Sequence, residues 1–444
     1  MKLLTFKGGA HPYDGKDMSK DAAILELKPG KELVFPLSQH IGAPAVPVVN
    51  IGDRVLAGQK IAAKNGFISA NIHSSVSGTV TKIEPRLLAT GGKAESIIIE
   101  NDFLYEEAPL LNTTDPDELK ADEIIRIIEE AGIVGMGGAG FPTNVKLSPK
   151  NPDAIDSIIV NGAECEPYLT SDYRRMIEHP DELIKGLKTI LKIFPNAMGY
   201  IGIENNKPDA IELLREMTKD DERIEVKALK TKYPQGGERS LIYAVKGRKI
   251  NSKMLPADAG CIVHNVDTVV SVYQAVYEGK PLTRRIVTVT GDAIKEPKNF
   301  YVYLGTSVDE LIDAAGGFNC EPEKIISGGP MMGFSFFNRN VPVVKGSSAI
   351  LAFSKDDVSS NPSSPCIRCG RCADACPEHL LPMKLAVMAQ HNDMEGFQKL
   401  YGMECVECGC CSYVCPAKRP VTQSVRSMKK MVMAESRKKQ EVKK

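Results

Sequence analysis

Eight of the twelve cysteines form two copies of one motif near the end of the chain. Each copy reads C-x2-C-x2-C-x3-C-P, and the second copy follows the first at a constant offset of 39 residues. The ligand candidates are Cys366, Cys369, Cys372 and Cys376 in the first copy, and Cys405, Cys408, Cys411 and Cys415 in the second. Three thiolates at this spacing can ligate one [4Fe–4S] cluster, while the cysteine before the proline ligates the other cluster. The spacing therefore predicts two [4Fe–4S] clusters and one-electron chemistry.

Each predicted cluster takes three ligands from one copy of the motif and one from the other. The first set is Cys366, Cys369, Cys372 and Cys415, and the second is Cys405, Cys408, Cys411 and Cys376. A pair of zinc sites is the alternative, although zinc sites usually combine C-x2-C pairs with histidine. The stretch between the copies has a helical composition, which predicts an α-helical two-cluster ferredoxin domain at residues 362–421. The remaining cysteines, Cys165, Cys261, Cys320 and Cys410, are expected to be small buried hydrophobic residues.

The composition indicates a globular protein of several domains. The chain has 444 residues, of which 43% are apolar and 25% charged, and this length exceeds what one hydrophobic core usually supports. Basic and acidic residues both number 56, so the balance of charge gives no indication of a nucleic-acid partner. The first residues are too short an apolar run for a signal peptide, and no segment has the length of a membrane-spanning helix. We expect a cytosolic or peripheral protein.

The elements in front of the cysteines fall into three segments. Residues 1–105 are rich in β-strand patterns and resemble the barrel-sandwich hybrid fold, but Ser74 and its neighbours occupy the hairpin where biotinyl and lipoyl domains carry a lysine. This segment is therefore predicted to be a scaffold or docking domain. Residues 115–280 alternate helical and strand-like runs, which predicts an α/β layer with a largely parallel sheet. Residues 284–336 resemble the ligand-binding β-grasp module called SLBB.

The α/β segment contains four motifs that could bind a nucleotide-like cofactor. GMGGAGFPTNVKL begins at Gly135, NGAECEPY at Asn161, KYPQGGERSL at Lys232 and IVHNVDT at Ile262. Clustered glycines let backbone N–H groups approach a phosphate, and helix starts favour anions. Taken alone, the first motif is better explained as a tight structural turn, because it lacks the strand-to-helix fingerprint of dinucleotide-binding folds.

Together these motifs resemble the FMN and NADH site of the flavin subunit of respiratory complex I, in the same order. With the β-rich segment in front and the ferredoxin domain behind, nearly the whole chain resembles the RnfC family. The resemblance implies that FMN is bound by Gly135, Gly137, Gly138, Lys146, Asn161, Glu164, Gly236, Gly237, Asn265 and Thr268. It implies that NADH or NAD lies over Phe141, with Glu166 and Glu238 reaching its ribose or amide and Lys253 as a weaker candidate. Met136, in place of an arginine, and Cys165 depart from the complex I pattern.

The resemblance implies hydride exchange between NADH and FMN, followed by one-electron steps through the two clusters. It also implies a peripheral subunit on the cytoplasmic side of the cell membrane, held in an Rnf complex with integral-membrane subunits that translocate Na⁺ or H⁺. One alternative is a soluble flavin and iron–sulfur reductase, such as a cobalamin reductase. Another is a non-catalytic electron relay with a degenerate flavin site. The basic tail at residues 422–444 is either a solvated, partly helical end or a docking element for an acidic subunit or anionic lipid.

Overall fold

A computed structural model describes residues 3–441. The amino-terminal sandwich consists of two antiparallel sheets, in the strand orders β2-β8-β7-β4 and β3-β5-β6. Fully buried Leu33, Phe35, Ile61 and Ile97 form its core. The hairpin at Ser75 is also buried, and the Ser75 hydroxyl donates to the Leu304 carbonyl at 2.6 Å. Its strands are β2 (Glu32–Pro36), β3 (Val46–Pro47), β4 (Arg54–Val55), β5 (Lys60–Ala63), β6 (Ile72–His73), β7 (Gly78–Leu87) and β8 (Lys93–Asn101).

The α/β domain contains the predicted parallel sheet, in the order β11-β10-β9-β12. Its first helix begins where the Glu123 carboxylate accepts the Lys120 N–H at 2.9 Å, and Gly132, with φ +65°, follows its end. The strands are β9 (Ser157–Gly162), β10 (Met198–Glu204), β11 (Ile224–Leu229) and β12 (Cys261–Asn265). The helices are α1 (Ala121–Glu130), α2 (Thr143–Lys146), α3 (Ser171–Glu178), α4 (Pro180–Ile193), α5 (Pro208–Thr218), α6 (Glu238–Lys246) and α7 (Val266–Tyr277).

The sheet of the β-grasp module includes two strands from outside its predicted limits, residues 284–336. Its six-stranded sheet has the order β1-β14-β13-β17-β15-β16. Strand β1 comes from the amino-terminal segment and pairs in parallel with β14, while β17 lies between β13 and β15. Residues 284–336 therefore lack one interior strand of this sheet. Its elements are β1 (Ile24–Leu27), β13 (Arg284–Thr290), β14 (Lys298–Tyr303), α8 (Val308–Ala314), β15 (Lys324–Ser327), β16 (Phe334–Phe336) and β17 (Ala349–Phe353).

The cysteine module is helical, as predicted. Helix α10 packs against α13 through a buried cluster that includes Leu385, Phe397, Val425 and Met428. The helices are α9 (Arg371–Asp374), α10 (Pro382–Gln390), α11 (Met394–Lys399), α12 (Cys410–Tyr413) and α13 (Val421–Glu441). Short 3-10 helices lie at Lys16–Met18, Pro152–Ala154, Pro256–Ala259 and Gly402–Glu404. Across residues 3–441, no helix is both long and apolar enough to span a membrane.

Much of the predicted basic tail belongs to the cysteine module. The expectation of a solvated end was wrong for the first turns of α13, because Val425, Met428 and Val432 are buried against this module. Lys429 donates to the Cys405 carbonyl at 2.6 Å and also pairs with Glu407. The predicted docking role of the tail stays a prediction, and its last residues, 442–444, lie outside the described part of the chain.

Candidate functional site

The four predicted cofactor motifs meet at one edge of the parallel sheet. The carboxyl ends of parallel strands share an edge, where ligands commonly bind in α/β folds. Met136 in the glycine loop donates its N–H to the Thr268 hydroxyl at 2.9 Å. Asn161, at the end of strand β9, donates from its side chain to the Gly236 carbonyl at 2.8 Å. The structure therefore brings these sequence-distant segments into a single surface.

The glycine loop offers exposed backbone at this edge. The Gly135 N–H donates to the Phe141 carbonyl at 2.7 Å and closes the loop. Gly137 has φ +78°, and a Cβ there would approach the Asn265 side-chain nitrogen to 3.2 Å. At Gly138, which is exposed, a Cβ would meet no protein atom within 4 Å. The loop thus has accessible N–H groups and open space beside them, which fits an anionic group such as the FMN phosphate.

Asn265 and Thr268 hold the start of α7 and the glycine loop in place. The Asn265 side chain accepts the Asp267 N–H at 2.9 Å and donates to the Asp172 carboxylate at 2.6 Å. Thr268 is fully buried below the loop and receives the Met136 N–H. Both side chains are engaged within the protein, so their contribution to a bound cofactor is to position the loop and the helix start.

Lys146 provides the positive charge nearest to Glu238. Its ammonium group donates to the Val263 carbonyl at 2.7 Å and lies 3.2 Å from the Glu238 carboxylate. Glu238 is the first residue of α6, directly after Gly236 and Gly237. Phe141 is half-buried and Lys253 exposed. Phe141 and Lys146 adjoin the open loop, where a nucleotide could be bound by charge and by ring stacking, whereas no contact among the described residues places Lys253 beside the loop.

Buried acidic groups lie behind the loops. Glu164 has φ +46°, accepts the Asp172 N–H at 2.7 Å and lies 3.8 Å from the Lys16 ammonium group. Its second carboxylate oxygen is buried without a hydrogen-bond partner. Burial, followed by the charges of Glu164 and Asp267, raises the pKa of Asp172 to about 7. The free oxygen of Glu164 is an acceptor that a ligand N–H or hydroxyl could satisfy, since unpaired buried polar atoms are costly.

Glu166 is oriented toward the β-grasp module. Its carboxylate accepts the N–H groups of Met331 at 3.1 Å and Met332 at 2.9 Å. A Cβ at Gly329 would lie 2.1 Å from the same carboxylate, so the close approach requires glycine there. Burial raises the pKa of Glu166 to about 7. The predicted ribose contact of Glu166 would require it to exchange these backbone hydrogen bonds.

The second predicted cysteine set surrounds one cavity. Cys376, Cys405, Cys408 and Cys411 all line it, together with apolar residues that include Leu380 and Val425. This inner cysteine set therefore fits a [4Fe–4S] cluster, whose four thiolate ligands must surround the cluster and not converge on one ion. Within residues 3–441, no three Cys, His, Asp or Glu side chains converge on a single-ion site.

The other predicted set, the outer cysteine set, lies at the surface. Cys366 and Cys369 are exposed, and Cys372 and Cys415 are half-buried. The backbone repeats at the 39-residue offset: Gly370 and Gly409 have φ +81° and +85°, and each precedes a four-residue helix. The Cys366 and Cys405 sulfurs each accept the N–H two residues later at 3.4 Å. Both copies of the motif thus form the same ligand loop.

The inner cysteine set adjoins the edge of the parallel sheet that carries the loops at Gly135, Asn161, Gly236 and Asn265, which we call the flavin-type edge. A buried apolar joint contains Ala10, Tyr233, Ala375, Cys408 and Cys410, with Cys165 and Met331 packed against it. Cys165 accepts the Gly236 N–H at 3.2 Å, and the Cys410 thiol lies 3.7 Å from the Tyr233 carbonyl. The Cys408 and Cys410 sulfurs are also in hydrogen-bonding contact with each other, and this contact together with burial raises the pKa of Cys408.

The four cysteines outside the motif differ in exposure. Cys261 and Cys410 are buried as expected, whereas Cys165 is half-buried and Cys320 is exposed. The expectation of burial was therefore wrong for Cys320, which lies in the loop between α8 and β15.

An ion-pair cluster connects the α/β domain to the cysteine module. None of the sequence motifs indicated it. Arg239, in α6, donates to Glu378 at 2.7 Å and to the Glu404 carboxylate at 3.1 Å. Glu404 also accepts the Ser252 N–H at 2.7 Å. The two glutamates flank Cys376 and Cys405 in the chain. Arg239 therefore holds the inner cysteine set against the helix that begins at the Gly-Gly motif.

Comparisons with known families match this architecture along the chain. The model for the RnfC barrel sandwich hybrid domain matches residues 4–104, and that for the Nuo51 FMN-binding domain matches residues 128–274. The SLBB domain matches residues 286–335, and the 4Fe-4S dicluster domain matches residues 365–418. These matches confirm the predicted fold classes and the predicted FMN and 4Fe–4S cofactors.

Similar proteins cover nearly the whole chain, and each is the C subunit of an oxidoreductase complex. That of the proton-translocating ferredoxin:NAD(+) oxidoreductase complex of Clostridium ljungdahlii is 46% identical over 96% of this chain and 94% of that protein. That of the Na(+)-translocating ferredoxin:NAD(+) oxidoreductase complex of Acetobacterium woodii is 43% identical over 99% of both chains. That of the ion-translocating oxidoreductase complex of Rhodobacter capsulatus is 40% identical over 99% of this chain and 86% of that protein.

Solved structures share the fold at low sequence identity. An NAD+-reducing [NiFe]-hydrogenase in its air-oxidized state matches 66% of this chain and 58% of that chain, with a TM-score of 0.50 and 19% identity. From the arrangement of its four domains and its full-length relatives, the chain belongs to the RnfC family, the C subunits of ion-translocating oxidoreductase complexes.

Proposed function

We propose that this protein exchanges electrons between NADH or NAD and the other subunits of a membrane-bound Rnf complex, through FMN and two [4Fe–4S] clusters. The observation that carries the proposal is the apolar joint, in which Tyr233 and Cys165 of the flavin-type edge pack against Cys408 and Cys410. Such direct packing keeps the path of an electron between the two sites short.

The protein groups around FMN would bind and orient it. Bound FMN accepts a hydride and passes on its electrons one at a time. Gly135 closes the loop, the backbone of Gly137 and Gly138 is placed to bind an anionic group, and Lys146 adds positive charge. Asn161, Glu164, Gly236, Gly237, Asn265 and Thr268 complete the proposed FMN-binding set. One Glu164 oxygen lies 3.8 Å from the Lys16 ammonium group and accepts no hydrogen bond from the described residues. Glycine at position 236 lets this segment pack closely on Asn161, whose side-chain oxygen a Cβ would approach to 3.2 Å.

The proposed nucleotide site uses Phe141, Glu238 and Glu166. Phe141 provides a ring beside the glycine loop, and Glu238 lies at the start of α6 with its carboxylate near Lys146. Glu166 contributes less directly, because its carboxylate is bonded to the β-grasp loop. We place NADH over Phe141 with Glu238 as its polar partner, and Glu166 as the residue that holds the adjacent loop.

The difference in burial between the two cysteine sets supports an order of the two clusters along the electron path. The inner cysteine set lies in the apolar joint and is held there by Arg239. The outer cysteine set includes two exposed ligands, Cys366 and Cys369. Since electron transfer slows steeply with distance, the inner cysteine set would hold the cluster that is nearer to FMN, and the outer cysteine set would hold the cluster that is nearer to another protein of the complex.

The relatives' names support the wider assignment. They are subunits of complexes that couple ferredoxin:NAD(+) oxidoreduction to translocation of protons or sodium ions. By this assignment the chain is peripheral, on the cytoplasmic side of the cell membrane, and integral-membrane subunits of the complex translocate the ion. Its own contribution to the translocase is the NADH-linked electron transfer.

Purification of the full chain under anaerobic conditions tests the proposal. We expect one FMN and two [4Fe–4S] clusters per chain, bleaching of both on addition of NADH, and co-purification with membrane subunits when these are co-expressed. A protein that retains its clusters but binds no FMN and does not react with NADH would be a non-catalytic relay, and the proposed function would be wrong.

A further inference from the structure

Four basic residues lie close in sequence to the outer cysteine set and have no acidic partner among the described residues. Arg368 and Arg371 flank Cys369, and Lys418 and Arg419 follow Cys415. In the part of the chain that the structure describes, none of these four side chains forms an ion pair. The Ser364 N–H donates to the Ala417 carbonyl at 3.0 Å, which places the segment before Cys366 beside the segment that carries Lys418. We call Arg368, Arg371, Lys418 and Arg419 the basic rim.

The inner side of the same module has the opposite arrangement. Its acidic residues Glu378, Glu404 and Glu407 are all paired, with Arg239, Arg426 and Lys429 as partners. Cations are therefore unpaired at the exposed cluster, whereas charges are matched where the module meets the rest of the chain. Unpaired charge on one face steers binding partners of opposite sign.

The basic rim encloses exposed apolar and metal-binding groups. Ile367, between two ligand cysteines, is 65% exposed, and Tyr413 is 49% exposed. A centre of apolar side chains with a polar rim is the usual anatomy of a protein–protein interface. Asp374 is the one exposed acid on the short helix α9. The negative charge of a bound cluster balances part of the rim, and the remaining cations face solvent.

We propose that the basic rim is the docking surface for an acidic single-electron carrier protein that exchanges electrons with the outer cluster. This inference rests on the proposed function, in which electrons leave or enter the chain at that cluster. A lipid surface cannot accept an electron, whereas a carrier docked over Cys366 and Cys369 lies against the cluster ligands. Rim charges are expected to act mainly on the association rate.

The test uses the reconstituted full chain and a small acidic two-cluster ferredoxin as the probe carrier. The measured quantity is the second-order rate constant of electron exchange with the reduced probe, at several ionic strengths. The rim variant carries Arg371→Glu with Lys418→Glu. The matched control carries Lys82→Glu with Lys93→Glu, which makes the same charge change on the exposed sandwich strands. The rim variant should slow the exchange by about tenfold or more at low salt, and the control should leave it unchanged.

A binding measurement complements the rate. Carbodiimide cross-links lysine amines to carboxylates at contact distance, so the wild-type complex should cross-link at Lys418. Lys418→Arg keeps the charge and should retain the rate while losing that cross-link. Equal loss of rate in rim and control variants, or a rate independent of ionic strength, would overturn the proposal. The proposal would also be overturned by a rim variant that keeps its rate of electron exchange and loses only its binding to anionic phosphatidylglycerol vesicles. NADH bleaching of FMN and clusters is recorded separately, so that failure of the proposed function is distinguished from failure of docking.

Discussion

Replacement of Arg239 by methionine should release the cysteine module from the flavin-type edge. Methionine keeps most of the apolar volume and removes the charge that pairs with Glu378 and Glu404. The side chains of Arg239, Glu378 and Glu404 are 19%, 15% and 24% exposed. This partial burial places the strength of the interaction between two limits. Exposed ion pairs stabilise a protein by up to about 1 kcal/mol, and disruption of a buried pair costs about 3–5 kcal/mol. We expect a cost of about 2 kcal/mol for opening the interface.

Hydrogen exchange measures this opening directly. The Ser252 N–H is bonded across the interface to Glu404, and the Gly9 N–H is bonded to the Ala375 carbonyl. A cost of about 2 kcal/mol raises the exchange rates of these amides about thirtyfold. Amides in strand β9, which lies inside the α/β domain, serve as the control and should keep their rates.

A double-mutant cycle with Glu378→Gln separates the pair from indirect effects. Glu378 is the cleaner partner, because Glu404 retains its bonds to Ser252 when Arg239 is lost. The coupling energy between Arg239 and Glu378 should be about 1–2 kcal/mol. Unchanged exchange at Gly9 and Ser252, or a coupling energy of zero, would refute the argument that this ion pair holds the two domains together.

Three further predictions concern the flavin-type edge and the inner cysteine set. Gly138→Ala should lower the FMN content of the purified protein without changing its thermal stability, because its Cβ meets no protein atom, whereas Gly137→Ala should lower both because its φ is +78°. Because the pKa of Asp172 is raised to about 7, its contribution to the free energy of unfolding is fully present below about pH 4 and is lost as pH rises through 7. Asp172→Asn should flatten this pH dependence by up to about 1.4 kcal/mol per pH unit, as measured by denaturant titrations at several pH values. Lys429→Met removes a positive charge bonded to the Cys405 carbonyl and should lower the reduction potential of the inner cluster in an EPR-monitored redox titration, while Lys430→Met, at an exposed position, should not.

Features encoded in local sequence were predicted well. The 39-residue repeat predicts two identical ligand loops, and the structure has the same backbone at Gly370 and Gly409. Ile124, Ile127 and Ile128 recur at helical spacing in the sequence of α1, and these three side chains are the buried ones. The resemblance implies that the four cofactor motifs form one site, and Asn161 and Gly236 are in contact at the carboxyl edge of the sheet.

Contacts between distant segments could not be predicted. Strand β1 pairs Ile24 with Asn299, and nothing in the short sequence of β1 specifies that partner. Glu166 carries the sequence context of a ligand residue, yet its carboxylate is bonded to a loop 165 residues later. The expectation of a solvated tail was wrong because lysines surround its apolar residues in the sequence and conceal that these residues pack against the cysteine module. Val425 and Met428 are nevertheless buried, and Lys429 pairs with Glu407.

The central claim is that electrons pass between FMN and the outer cluster through the inner cluster. It is tested by rapid mixing of the anaerobic holoprotein with NADH, followed by freeze-quench EPR. Cys369→Ser, in the outer set, should leave the fast reduction of the inner cluster intact. Cys405→Ser, in the inner set, should abolish fast reduction of the outer cluster while FMN is still reduced. Fast reduction of the outer cluster in the Cys405→Ser protein would contradict the proposed path.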